Sequence, residues 1–122
     1  VLVVDDNTAA VKTMGMVVKM LGHEVRTADD GRQAIKDAAE FLPDLVLLDI
    51  GMPKMNGYET AQHIRQQPWG RNMMLVALTG WGQDDDKRRT KEAGFDDHLV
   101  KPAEISELRR LFTLAGQRHS VS

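Results

Sequence analysis

The sequence predicts a single α/β domain built on a five-stranded parallel sheet with five helices on both faces. Three observations carry that expectation. Apolar runs and amphipathic stretches alternate along the whole chain, and such alternation implies right-handed crossovers between parallel strands. Three runs, residues 1–4, 45–48 and 73–78, are solidly apolar, as strands buried on both faces are. The other two are shorter or more polar, as sheet edges are. The rich strands therefore take the centre, which fits the order 2-1-3-4-5.

Residues 1–4 form the first strand. Residues 8–21 form a helix with Ala10, Met14, Val17, Val18 and Leu21 on one face, ended by Gly22. Residues 24–28 are a weaker strand in which Val25 and Arg26 face opposite ways, and Asp29-Asp30-Gly31 turns the chain. Residues 32–40 form a short helix with Ala34, Ile35, Ala38 and then Leu42 inward, stopped by Pro43. A strand at 45–48 leads into a loop at 49–57. Residues 58–66 form a helix carrying Tyr58, Ala61 and Ile64 on one side. After the strand at 73–78 comes a very polar helix, 83–93, closed by Gly94. It has no apolar residue from 83 to 92, with aspartates at its N-terminus and cations beyond. It reads as a solvated helix, weakly held and easily shifted. Residues 98–100 are a short strand. The last helix, 104–115, has Ile105, Leu108, Leu111, Phe112 and Ala115 at core spacing. The domain is expected to span 1–116, with a frayed tail at 117–122.

At 122 residues the chain buries a core without covalent staples. It has no cysteine, which excludes a disulfide framework, a thiolate metal site and a cysteine nucleophile. The longest apolar run, 73–78, is too short to span a bilayer, and no basic-then-apolar leader stands at the front. The expected location is cytoplasmic, away from membranes. Sixteen basic and eighteen acidic side chains give a net charge of -2, which makes no electrostatic case for nucleic acid. Aspartate outnumbers glutamate 12 to 6, and aspartate favours turns, caps and sites.

In open parallel sheets, ligands bind beyond the carboxyl ends of the strands. Asp5 and Asp6 follow the first strand, Asp49 the third, Thr79 the fourth and Lys101 the fifth. Each has a plain reading. Asp5-Asp6-Asn7 caps the first helix, Asp49 opens a turn, Thr79 is a strand-end hydroxyl and Lys101 a solvated charge. Together they form a rarer pattern. Carboxylates crowded on one rim repel by several kcal/mol per pair, even at an effective dielectric of about 20. A cation resolves that repulsion, and Mg²⁺, a hard ion that prefers oxygen, fits the set. No His or Cys lies beside the cluster, so zinc fits poorly.

Val3-Val4-Asp5-Asp6-Asn7, Leu48-Asp49-Ile50-Gly51-Met52-Pro53, Met55-Asn56-Gly57, Ala77-Leu78-Thr79-Gly80 and Leu99-Val100-Lys101-Pro102 occur in this order over nearly the entire chain. In these motifs the chain resembles the receiver domain of two-component response regulators, a CheY-like, flavodoxin-like fold. Residues 78–82 and 93–102 resemble most the receivers attached to hybrid sensor histidine kinases. The resemblance implies that Asp49 is the phosphoacceptor, taking its phosphoryl group from a phosphohistidine on a kinase or a histidine phosphotransfer protein. It implies direct Mg²⁺ (or Mn²⁺) ligation by Asp6, Asp49 and the Gly51 carbonyl, with Asp5 acting through water. Lys101 pairs with Asp49 and then with a phosphoryl oxygen. Thr79 swings to the phosphoryl group and, with His98, switches the surface. The Lys101-Pro102 peptide is expected cis. The role is a signalling phosphoacceptor that assists its own phosphorylation and dephosphorylation, not an enzyme acting on a separate substrate.

Three positions depart from the usual pattern. His98 stands where the family often has Tyr or Phe. It reads either as a switch residue rotating behind Thr79, whose ionisation makes switching pH-sensitive, or as a polar edge-strand residue. Gly51 offers no side chain to orient water near Asp49. Trp81 reads as a hydrophobic lid or as an exposed loop aromatic. Met14, Met16, Met20, Met73 and Met74 read as core or interface filler, with Met16 and Met20 off the core face and available to a docking partner. His23, His63 and His119 are expected on the surface.

Two other functions share the fold or the chemistry. A flavodoxin-like electron carrier needs a phosphate-friendly loop after the first strand, where this chain has Asp5-Asp6-Asn7. A haloacid-dehalogenase-type phosphatase needs a D-x-D motif, which Asp49-Ile50-Gly51 lacks. No G-x-G-x-x-G or P-loop supports nucleotide binding.

Overall fold

The computed structural model describes residues 1–50, 57–79, 87–100 and 104–120. Five strands form one parallel sheet in the order β2-β1-β3-β4-β5, as expected. They are β1 (Leu2–Val4), β2 (Arg26–Ala28), β3 (Leu45–Asp49), β4 (Met74–Thr79) and β5 (Asp97–Val100). The helices are α1 (Thr8–Met20), α2 (Gly31–Phe41), α3 (Gly57–Gln66), α4 (Lys87–Glu92) and α5 (Ile105–Ser120), with a 3₁₀ turn at Pro68–Gly70.

The three central strands are buried along their whole length because both faces are covered. On one face Val4, Leu48 and Ala77 pack with Ala34, Ala61 and Ile64 of α2 and α3. On the other, Val3, Leu47 and Leu78 pack with Val18, Leu108 and Leu111 of α1 and α5. Truncating one fully buried leucine to alanine costs about 2–5 kcal/mol. An exposed ion pair contributes about 1 kcal/mol or less, so the apolar alternation, not surface charge, sets the register.

Several expected details shift. In α1 the fully buried residues are Val11, Gly15 and Val18, while Met14, Val17 and Leu21 are half-buried. A Cβ on Gly15 would stand 3.1 Å from Thr27 Cγ2, so the glycine lets α1 lie close over β2. Glycine carries no hydrophobic signal, which hides this stripe in a pattern of apolar residues. β2 is shorter than expected because its partner β1 offers only Leu2–Val4 to pair with. Leu42, expected inward, is 57% exposed. It caps α2 in the left-handed region with φ 50°, just before Pro43, which has no N–H to continue the helix. Ile105, also expected inward, is 52% exposed, and burial in α5 begins at Leu108. The first turn of α5 lies outside the core. α5 runs from Ile105 to Ser120.

Candidate functional site

The strand ends set the site. The register Val4↔Leu48 places Asp49 one step beyond the last paired level of β1, beside Asp5. The Asp5 N–H donates to the Ala28 carbonyl at 3.2 Å, which carries the β1–β2 ladder one residue past Val4 and anchors the rim. Asp5 and Asp49 are buried at 3% and 8% exposure, while Asp6 is exposed. One carboxylate oxygen from each of Asp5, Asp6 and Asp49 lies within 4.8 Å of the others.

Local structure bears on each of the plain readings. Asn7, not an aspartate, caps α1: its extended backbone turns the chain and its side-chain oxygen accepts the Ala10 N–H at 3.0 Å. Asp5 Oδ1 accepts the Asn7 N–H at 3.0 Å, which holds that carboxylate at the start of the turn. Asp49 is the last residue of β3, and the chain turns directly after it at Ile50. α3 seats directly on its backbone. A Cβ on Gly57 would come within 2.6 Å of the Asp49 carbonyl oxygen and 2.5 Å of Ile50 Cα, so only glycine permits this approach. The Ile50 N–H reaches the Leu78 carbonyl at 3.3 Å, continuing the β3–β4 ladder beyond Asp49.

The electrostatic consequence follows from burial. Between the two buried members, at an effective dielectric of about 20, charges under 5 Å apart repel by roughly 3 kcal/mol or more. The donor set is all oxygen, with one exposed carboxylate open to solvent and two fixed beneath it. That set fits a hard divalent cation that retains several waters.

Thr79 ends β4 beside the acidic cluster, buried at 4% exposure, and its hydroxyl donates to the Leu99 carbonyl at 3.3 Å. The β4–β5 register pairs Ala77 with His98 and Thr79 with Val100. Paired residues of parallel strands point to the same side, so Thr79 and His98 share one face. His98 is half-buried there. Four sequence expectations, Lys101 with the Lys101-Pro102 peptide, Gly51 and Trp81, lie outside the described residues, as does the first part of the polar helix at 83–86.

Other residues fall where local pattern does not reach. Arg65, at the end of α3, donates from Nε to the Gly94 carbonyl at 2.8 Å. Its Nη1 donates to the carbonyls of Gly70, Arg71 and Met73 at 2.9, 3.1 and 2.7 Å, and its Nη2 to Asp96 Oδ2 at 2.7 Å. Nothing local marks this arginine, because Gly94 and Asp96 lie 29 and 31 residues away. Asp37 on α2 is buried at 4%, accepts from Gln33 Nε2 at 3.0 Å and faces Arg26 Nε at 3.7 Å. His23, expected on the surface, is half-buried, its ring 4.3 Å from that of Phe112. Met16 and Met20 are 66% and 83% exposed, off the core face as expected.

Comparison with known proteins gives a consistent picture. The family described as the response regulator receiver domain matches residues 1–113. A gliding motility regulatory protein of Myxococcus xanthus is 39% identical over 101 residues, covering 83% of this chain and 13% of that protein. The signal transduction histidine-protein kinase BarA of Shigella flexneri is 35% identical over 111 residues, covering 91% of this chain and 12% of that protein. The chain thus spans about an eighth of the length of these two relatives. Among solved structures, the receiver domain of the sensor histidine kinase PA1611 from Pseudomonas aeruginosa PAO1, with magnesium in its active site cleft, superposes with a TM-score of 0.85. It is 32% identical, covering 94% of this chain and 95% of that one. These matches do not favour the phosphatase or the electron carrier.

Proposed function

The chain belongs to the response regulator receiver domain family, and on that premise we propose that Asp49 is its phosphoryl acceptor. As a receiver it acts in two-component phosphorelay signalling. One observation supports Asp49 above all: a buried carboxylate at the end of a central strand, with the carboxylates of Asp5 and Asp6 converging on it within 4.8 Å.

In the reaction we infer, an Asp49 oxygen attacks the phosphorus of a phosphohistidine on a histidine kinase or a phosphotransfer protein. The O–P bond forms as the N–P bond breaks, and the departing imidazole nitrogen keeps the electron pair and takes a proton. Holding the acceptor rigid is most of what such a transfer needs from the protein. Asp49 is fixed by β3 pairing and by α3 seated on its backbone. Asp5, Asp6 and Asp49 are the side chains that would hold Mg²⁺, together with the Gly51 carbonyl. Mg²⁺, when bound, supplies positive charge to the transferring oxygens and relieves the repulsion among the carboxylates. Lys101, assigned by its motif, pairs with Asp49 and then with a phosphoryl oxygen. The acyl phosphate adds charge at the rim, and the Thr79 hydroxyl, already donating to the neighbouring strand, exchanges that partner for a phosphoryl oxygen. His98, on the same face, follows into the space left behind, which makes the β4–β5 surface the readout. The exposed pair Met16 and Met20 on α1 suits the apolar part of a docking kinase or phosphotransfer helix. Among the described residues no helix is long and apolar enough to cross a membrane. We place the domain in the cytoplasm.

Acetyl phosphate and magnesium, followed by intact mass measurement, test the reading. The expected result is a gain of one PO₃H unit that Asp49→Asn abolishes. No gain, or an equal gain in Asp49→Asn, overturns it.

A further inference from the structure

At the end of the sheet opposite the acidic cluster, one planar group ties three chain segments together. Arg65 holds the carbonyls of Gly70, Arg71 and Met73, which lead into β4, and the Gly94 carbonyl, which closes α4. Its remaining arm reaches Asp96 Oδ2, which also accepts the Leu75 N–H at 2.9 Å, while the Asp96 N–H returns to the Leu75 carbonyl at 2.7 Å. A guanidinium is the side chain suited to this, with donors fixed in a plane. The carbonyls it meets at Gly70 and Gly94 follow helical turns, where partial negative charge collects.

Gly94 is the other half of the device. It adopts φ +103°, its N–H bonds the Lys91 carbonyl and the Phe95 N–H bonds the Thr90 carbonyl, which closes α4 in the left-handed manner. A Cβ at Gly94 would stand 2.7 Å from Arg65 Cγ, so the arginine stem packs where a side chain would go. α4 itself buries Thr90, followed by Ala93. The Arg88–Glu92 ion pair on its surface is largely exposed. Arg65 and Asp96 thus grip the chain at the C-terminal end of this helix. Thr79 sits at the far end of β4, about 16 Å away at roughly 3.3 Å per strand residue.

We propose that Arg65 is a positioning residue for the switch: by pinning Gly94 through Asp96 to β4 and α3, it makes Gly94 the fixed hinge about which α4 turns when Thr79 moves. With the hinge held, displacement at the rim becomes rotation of α4. Without it, the same displacement is lost in loosening of the turn from Gly94 to Asp96. This rests on the acceptor reading of Asp49 given above.

Amide hydrogen exchange with and without beryllium fluoride and magnesium, a stable stand-in for the acyl phosphate, tests it on the whole chain. In the parent protein, exchange is expected to change across Lys87–Glu92 while the Gly94, Phe95 and Asp96 amides keep their protection. In Arg65→Gln, acetyl phosphate is expected to give the parent's mass gain. The exchange response across Lys87–Glu92 falls at least about twofold, and the Gly94–Asp96 amides exchange faster on binding the analogue. Arg65→Lys, which keeps the charge and loses the fork, is expected to fall between the two, and it replaces Arg65→Gln if that variant does not fold. A parent-sized response in the folded variant overturns the hinge, even if its stability has dropped. No mass gain in the parent overturns the acceptor reading, and this proposal with it.

Discussion

The two ends of the β4–β5 ladder are built on different principles. At the amino end, Arg65 and Asp96 lock β4, the turn before β5 and the close of α4 with charge-assisted bonds as short as 2.7 Å. At the carboxyl end, Thr79 reaches across to Leu99 with a neutral bond at 3.3 Å. Charge-assisted hydrogen bonds are about twice as strong as neutral ones, and those of Arg65 act together. The difference is one of bond strength between the two ends of the same ladder. In the switch proposed above, the end that holds carries fixed charge in partly buried places, and the end that moves carries a bond that is cheap to exchange.

The largest effect that tests this contrast is on stability. Arg65→Met removes the guanidinium from Asp96 and from the carbonyls of Gly70, Arg71, Met73 and Gly94, and is expected to lower unfolding free energy by about 3 kcal/mol in urea titration. A loss under about 1 kcal/mol would make the two ends equivalent. Thr79→Val keeps the shape and removes the hydroxyl. It is expected to cost about 1 kcal/mol, to accept phosphate from acetyl phosphate, and to show a reduced exchange response in β5. If it destabilises as much as Arg65→Met, the contrast between holding and moving ends fails. The smallest effect belongs to α4. Arg88→Ala removes the Arg88–Glu92 pair, whose members are 92% and 69% exposed, and is expected to change stability by no more than about 0.5 kcal/mol. A larger loss would mean that α4 is held along its body as well as at Gly94.

Much of the site is legible in the chain because it obeys local rules. Parallel strands covered on both faces read as unbroken apolar runs, so β3 and β4 are found from 45–48 and 73–78, and the polar residues just after such runs fall on the rim. Asp5, Asp6, Asp49 and Thr79 are found in that way. What local rules misplace is instructive. Gly15 and Gly57 mark close approaches of helix to sheet, but an absent side chain leaves no apolar signal to score. Leu42 and Ile105 fit the helical spacing and are exposed, because spacing does not say where a helix leaves the core. The cap of α1 falls on Asn7, the last of three capable residues in a row, and only the turn geometry selects it.

Periodicity, strand order and the supply of carboxylates at the strand ends are properties of short stretches of chain, and the residues state them directly. The convergence of Asp5, Asp6 and Asp49, the shared face of Thr79 and His98 and the grip of Arg65 on Gly94 and Asp96 are decided by folding. Each needs segments distant in sequence to arrive at one register. That register comes from packing both faces of the sheet at once, a condition on the whole domain rather than on any stretch of it.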